Sequence, residues 1–148
     1  MEELFYRYNP WWEENFTLAE IINRPDEIQI LEKYLDQKSI VFLTGLRRVG
    51  KTTLMKMLIK KMIDEHYIDP IHIFYISLDD YNLSKKTILE IVEEYRTIHR
   101  IAFKQKSYLF FAGVVSNKSF CFSVISLWYL TSINSFPLVI KSSSIVFV

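Results

Sequence analysis

Residues 45–52, Gly-Leu-Arg-Arg-Val-Gly-Lys-Thr, constrain the fold of this chain more than any other segment. The preceding residues 39–44 form a short apolar, β-branched run, which is typical of a buried parallel strand. The following residues 52–63 carry apolar side chains at helical spacing, with lysines off that face. The spacing G-x-x-x-x-G-K-[ST] between them therefore predicts a strand, a phosphate-binding loop and a helix in that order.

The loop contains the groups that a polyphosphate requires. Gly45 and Gly50 lack Cβ, so backbone N–H groups can approach phosphate oxygens closely, with a helix N-terminus behind them. Lys51 is predicted to contact the β- and γ-phosphates, Thr52 to ligate Mg²⁺, and Thr53 to donate near the α-phosphate. The predicted nucleotide-binding residues are Gly45, Leu46, Arg47, Arg48, Val49, Gly50, Lys51, Thr52 and Thr53.

Arg47 and Arg48 lie at the crest of this loop. Their guanidinium groups have the charge and reach to contact a γ-phosphate or a partner subunit. They fit equally well as solvated arginines on an exposed loop, and the sequence leaves these alternatives open.

Residues 45–55 resemble the phosphate loop of prokaryotic, especially archaeal, AAA+-type ATPases of the P-loop superfamily. Residues 9–12, Asn-Pro-Trp-Trp, and residues 21–27 resemble the opening of that family. Residues 77–81 resemble the end of its second strand, and the resemblance extends to about residue 111.

This resemblance implies an α/β fold, a P-loop NTPase parallel sheet flanked by helices, in an incomplete form. It implies ATP and Mg²⁺ as cofactors, and it places Asn23 and Arg24 beside the adenine, although by residue chemistry alone these two residues are only a polar turn. The expected strands are 40–44, 71–78 and 107–111, with a possible fourth near 138–148. The expected regions are an aromatic N-terminal extension (1–22), a partial ATPase core (23–111) and an atypical serine-rich apolar tail (112–148).

The resemblance breaks after Phe111. A P-loop ATPase needs an aspartate at the end of this third strand to orient Mg²⁺, and AAA+ proteins add a glutamate that polarises water. Ala112 and Gly113 follow instead, and no acidic residue occurs after Glu94. We therefore predict an ATP-binding module with weak or lost hydrolysis. The alternatives are a non-functional remnant and, with less support, a small-molecule kinase.

Charge divides the chain into two parts. Residues 1–94 contain 12 Lys/Arg and 17 Asp/Glu, a net charge of −5, whereas residues 95–148 contain 6 Lys/Arg and no acidic residue. This change predicts a truncated ATPase whose reading frame shifts near Phe111. A rival interpretation is a membrane tail, since residues 119–140 are uncharged, but the serines, Asn134 and Pro137 make that unfavourable.

Composition narrows the remaining classes. A net charge of +1 predicts no general affinity for nucleic acid. The single Cys121 and the absence of a signal-peptide pattern predict a reducing, cytoplasmic location. No guanine-reading Asn-Lys-x-Asp motif occurs in the chain, which favours ATP over GTP.

Several shorter segments carry local predictions. The aromatic side chains of residues 1–16 favour packing over base stacking, and Pro25 fits the first position of a helix. Asp79 and Asp80 either face the nucleotide at the sheet edge or cap a turn. Ser84 is predicted to cap a helix over about 85–99.

Overall fold

A computed structural model describes residues 1–13, 16–18, 24–37, 40–46, 48–102, 104–114, 120–128 and 145–147. Its strands are β1 (Ile40–Leu46), β2 (Ile73–Ser77), β3 (Ser107–Val114), β4 (Phe120–Trp128) and β5 (Ile145–Phe147). Its helices are α1 (Glu2–Tyr8), α2 (Pro25–Glu32), α3 (Lys51–Asp64) and α4 (Ile88–Ile98). Short 3₁₀ turns occupy Pro10–Trp12, Pro70–His72 and Tyr81–Leu83.

The strands form one sheet in the order β2-β3-β4-β1-β5, which confirms the predicted α/β class. The pairs β1–β5 and β2–β3 are parallel, as expected. The central strand β4, however, runs antiparallel to both β1 and β3, so the sheet is not parallel throughout. Only residues 115–119 separate β3 from β4. A parallel connection needs a dozen or more residues, and this connection is too short for one.

The residues of β2 alternate between two hydrophobic clusters on opposite faces of the sheet. Ile73 and Tyr75 belong to the cluster that contains the apolar residues of α2 and α3. Phe74 and Ile76 belong to the cluster that contains Phe5 of α1 and the buried residues of α4. Helices therefore cover both faces of this sheet. Helix α3 lies on the face that carries Ile73 and Tyr75, and the loop immediately precedes this helix.

Residues 9–12 cover the outer edge of β2. The Asn9 amide pairs with the Tyr75 backbone, and the indole N–H groups of Trp11 and Trp12 both donate to the carbonyl of Ile73. The aromatic N-terminal residues thus have the predicted packing role. An exposed strand edge would otherwise present unpaired backbone groups to other chains.

Helix α4 begins later than predicted. Thr87 caps it in a capping box, since its hydroxyl accepts from the Glu90 N–H and the Glu90 carboxylate accepts from the Thr87 N–H. Ser84, the predicted cap, instead follows the 3₁₀ turn at Tyr81–Leu83. The reciprocal pair satisfies two N–H groups, whereas a lone serine satisfies one. Pro25 does occupy the first turn of α2, as predicted.

The strand β4 was not predicted, although Phe120–Trp128 is an apolar run with strand-forming residues. It lies within the segment that the membrane interpretation would require to be helical. Across the part of the chain that the structure describes, no helix is long and apolar enough to cross a bilayer. Strand β5 lies within the range predicted for a fourth strand.

Candidate nucleotide-binding site

The loop between β1 and α3 turns through unusual backbone conformations. Arg48 has a φ of 69° and Gly50 a φ of 86°, both in the left-handed region. Glycine adopts that conformation without steric cost, whereas arginine does so at some cost. The strand, the loop and the helix therefore lie in the order that the motif predicts. The two left-handed residues flank Val49.

The ammonium group of Lys51 lies inside the loop. The residue is only 5% exposed, and its Nζ donates to the carbonyl oxygens of Gly45 at 2.9 Å and Leu46 at 2.6 Å. A buried ammonium requires such partners because its desolvation is otherwise costly. The fold thus fixes a positive charge between the end of β1 and the start of α3.

The first turn of α3 presents Thr52 and Thr53. No side chain caps this helix in the described part of the chain, so its N–H groups have no side-chain partner there. Thr52 is exposed and Thr53 is half-buried. Burial raises the pKa of Tyr75 to about 12, and a hydrogen bond with the Thr52 side chain partly opposes this. Thr52 therefore lies against Tyr75 of β2, the residue whose backbone is hydrogen-bonded to Asn9.

Arg24 approaches the loop from the N-terminus of α2. Its Nε and Nη2 donate to Glu27 Oε1 at 3.0 and 2.7 Å, and its Nη1 donates to the Val49 carbonyl at 3.2 Å. No sequence pattern predicts this contact with the loop, and the resemblance places Arg24 beside the adenine. The i,i+3 spacing of Arg24 and Glu27 predicts only their ion pair, and not the contact with Val49.

The two crest arginines differ in what can be described. Arg48 is exposed, and Leu46 and Val49 near it are also exposed. Arg47 and Asn23 lie outside the described residues. The contacts predicted for Arg47 and Arg48 therefore stay predictions.

Asp80 has a structural role at the end of β2. Its carboxylate accepts from the Tyr8 hydroxyl at 2.9 Å, from Arg7 at 3.1 Å and from the Asn82 backbone N–H at 3.0 Å. The Asn82 backbone hydrogen bond is the main cause of the lowered pKa of Asp80, with Tyr8 second. These contacts favour the turn-capping interpretation for Asp80.

Ala112 lies where the resemblance places the metal-orienting aspartate. It pairs with Ser77 of β2 and Ser123 of β4, and it is buried in the cluster that contains Tyr75 and the α3 residues. Its methyl group therefore faces the same side of the sheet as α3. Among the described residues, no group of three or more His, Cys, Asp or Glu side chains could hold a metal ion.

One comparison with known proteins identifies the family. A model of the AAA domain family matches residues 37–144, which include β1, the loop, α3, β2, α4, β3 and β4. Neither the curated proteins nor the solved structures give a significant match. Because the matched region covers well over half of the 148 residues, the chain belongs to the AAA domain family.

Proposed function

We propose that this chain is an ATP-binding module in which residues 45–53 hold the phosphates, and that it hydrolyses ATP weakly or not at all. Membership of the AAA domain family supports an AAA-like nucleotide-binding module. We further propose that the nucleotide is ATP and that residues 45–53 bind its phosphates.

The buried ammonium of Lys51 carries this proposal. It is bound only to loop carbonyls, Gly45 O and Leu46 O, and has no ion pair with a carboxylate among the described residues. Its charge is therefore not neutralised by a counter-ion inside the loop. A polyphosphate at this loop would supply that counter-ion, and phosphate oxygens are better acceptors for an ammonium than neutral carbonyls are.

The other groups of the loop fit the same ligand. The N-terminus of the 14-residue helix α3 contributes N–H groups and positive partial charge. The Thr52 hydroxyl is a hard oxygen ligand of the kind that Mg²⁺ accepts alongside phosphate and water. When bound, Mg²⁺ would neutralise phosphate charge; this chain contributes Thr52 to hold it.

Weak hydrolysis follows from the residues at the end of β3. Phosphoryl transfer depends on positioning and electrostatic stabilisation, for which the resemblance requires carboxylates at this strand. Ala112 and Gly113 provide neither a metal-orienting nor a water-polarising group. Asp80, which follows β2, is already bound by Arg7 and Tyr8.

Titration calorimetry with Mg-ATP tests the binding proposal. Lys51→Met keeps the aliphatic stem but removes the ammonium, and we expect at least about a tenfold loss of affinity, since charge-assisted hydrogen bonds are the strong ones. Lys60→Met is the matched control, because Lys60 lies on the same helix in an ion pair with Asp64. Equal binding by the wild type and Lys51→Met would refute the site assignment.

A further inference from the structure

We infer that Arg24 is a positioning residue for the phosphate loop: by donating a hydrogen bond to the Val49 carbonyl, it fixes the backbone conformation that presents the loop N–H groups to phosphate. This inference rests on the proposed function. It assigns Arg24 to the phosphate end of the ligand, whereas the resemblance places it beside the base.

Val49 lies between two residues of the loop that have left-handed backbone conformations. A concave cluster of N–H groups needs backbone amides that point inward, and left-handed residues produce this arrangement. Arg48 and Gly50 are both left-handed, with φ of 69° and 86°. The Val49 carbonyl between them accepts a hydrogen bond from Arg24 Nη1 at 3.2 Å. Loss of that partner would remove one restraint on the peptide between Val49 and Gly50.

The guanidinium itself is held in place. Two of its nitrogens, Nε and Nη2, contact the same carboxylate oxygen, Glu27 Oε1, at 3.0 and 2.7 Å. The pKa of Glu27 is lowered mainly by a hydrogen bond from its own backbone N–H, and next by the hydrogen bonding of Arg24 to its carboxylate. The planar donor set of arginine can bind the carboxylate and still direct Nη1 at Val49, which a lysine ammonium cannot reproduce.

The surroundings of Gly50 support a positional role. A Cβ at Gly50 would lie 3.8 Å from Arg24 Nη1, so the guanidinium packs against the loop at its last residue before α3. Because Glu27 neutralises its charge, Arg24 adds little net attraction for an anion. Its contribution is therefore to the shape of the loop.

The test compares Mg-ATP with Mg-tripolyphosphate, which has phosphates but no base, by titration calorimetry. We expect Arg24→Gln to weaken both ligands by the same factor, about tenfold. We expect Arg24→Lys to show the same loss, because charge alone does not restore the contact with Val49. Arg100→Gln removes one arginine charge from the segment after α4 and is the matched control, with affinity unchanged.

The other outcomes separate the alternatives. Weaker Mg-ATP binding with unchanged tripolyphosphate binding would overturn the inference in favour of a base contact. Full recovery in Arg24→Lys would overturn it in favour of simple charge attraction, and unchanged binding in Arg24→Gln would overturn it outright. If the wild type bound neither ligand, the proposed function itself would fail. Glu27→Gln provides a second variant, and we expect a smaller loss that is again equal for the two ligands.

Discussion

The side chain of Asn9 takes the place of a neighbouring strand at Tyr75. Its Oδ1 accepts from the Tyr75 N–H at 2.6 Å, and its Nδ2 donates to the Tyr75 carbonyl at 2.9 Å. Nδ2 also donates to the Phe5 carbonyl at 2.7 Å, and Asn9 is fully buried. One amide therefore closes the edge of β2 and joins it to the C-terminal end of α1.

Asn9→Leu should destabilise the fold strongly. It would leave the Tyr75 N–H and carbonyl buried without partners, and each such group costs about 1–3 kcal/mol. We expect a loss of about 3 kcal/mol in the free energy of unfolding, measured by urea denaturation, together with concentration-dependent aggregation from the uncovered edge. Asn82→Leu is the control, since Asn82 is exposed. Equal stability of the Asn9 and Asn82 variants would contradict this role.

Thr87→Ala should cost more stability than Ser84→Ala. The capping box at Thr87 satisfies N–H groups at the start of α4, and loss of such a cap costs about 1 kcal/mol. Ser84 makes no such cap, so its replacement should change the free energy of unfolding little. Thermal or urea denaturation of the two variants checks this. A larger loss in Ser84→Ala would favour the helix start predicted from sequence.

Glu32 should contribute stability that depends on pH. Its carboxylate joins α2 to Lys61 Nζ of α3 at 3.0 Å and to His66 Nε2, just after that helix, at 2.9 Å. The hydrogen bond with His66 is the largest cause of its lowered pKa, opposed by burial and aided by Lys61. Because the folded pKa lies below the unfolded value of 4.5, this stability is present above that value. It is lost as the pH falls through the folded pKa.

Glu32→Gln should therefore lower the free energy of unfolding by about 0.5–1 kcal/mol near pH 7, because solvent screens a partly exposed ion pair. The difference from the wild type should shrink near pH 3. Asp36→Asn is the matched control: its contact with Lys106 is 3.4 Å long and Asp36 is 97% exposed, so it should change stability little at either pH. A difference between Glu32→Gln and the wild type that did not vary with pH would contradict the role of its ionisation.

The local parts of this fold follow from sequence, and the non-local parts do not. The loop at residues 45–52 is predictable because glycine, lysine and threonine have chemical roles at fixed spacing there. The start of α2 at Pro25 is predictable because proline favours the first position of a helix. By contrast, the direction of β4 depends on the length of one connection and on pairing with two distant strands. Nothing local in Phe120–Trp128 specifies it.

Long-range side-chain contacts show the same limit. Asn9 and Tyr75 are 66 residues apart, and Arg24 and Val49 are 25 apart. Each contact depends on how complete elements pack, so neither asparagine nor arginine signals it locally. The resemblance to the family predicts a base contact for Arg24, which stays a prediction, and the folded loop adds a contact with the Val49 carbonyl. The geometry of the site therefore adds information that motif spacing does not contain.

Successive side chains of β3 point to opposite faces of the sheet. Ala112 faces the α3 side of the sheet, in the cluster with Tyr75, whose hydroxyl interacts with Thr52. The next residue, Gly113, occupies the opposite phase of the strand, because successive side chains point to opposite faces. A carboxylate at position 112 therefore lies on the Thr52 side of the sheet, whereas one at position 113 starts from the opposite face.

Ala112→Asp should therefore strengthen ATP binding in the presence of Mg²⁺ over binding in EDTA, because it adds an oxygen ligand to the Thr52 side. We expect the ratio of the two affinities to rise about tenfold relative to the wild type, and Gly113→Asp to leave it unchanged. Titration calorimetry with and without Mg²⁺ measures this ratio, and thermal denaturation identifies variants that are merely unfolded. An equal gain in both variants would show that added charge, and not its position, is responsible. No gain in a folded Ala112→Asp protein would mean that β3 does not face the metal, and the weak hydrolysis that we propose would then need another cause.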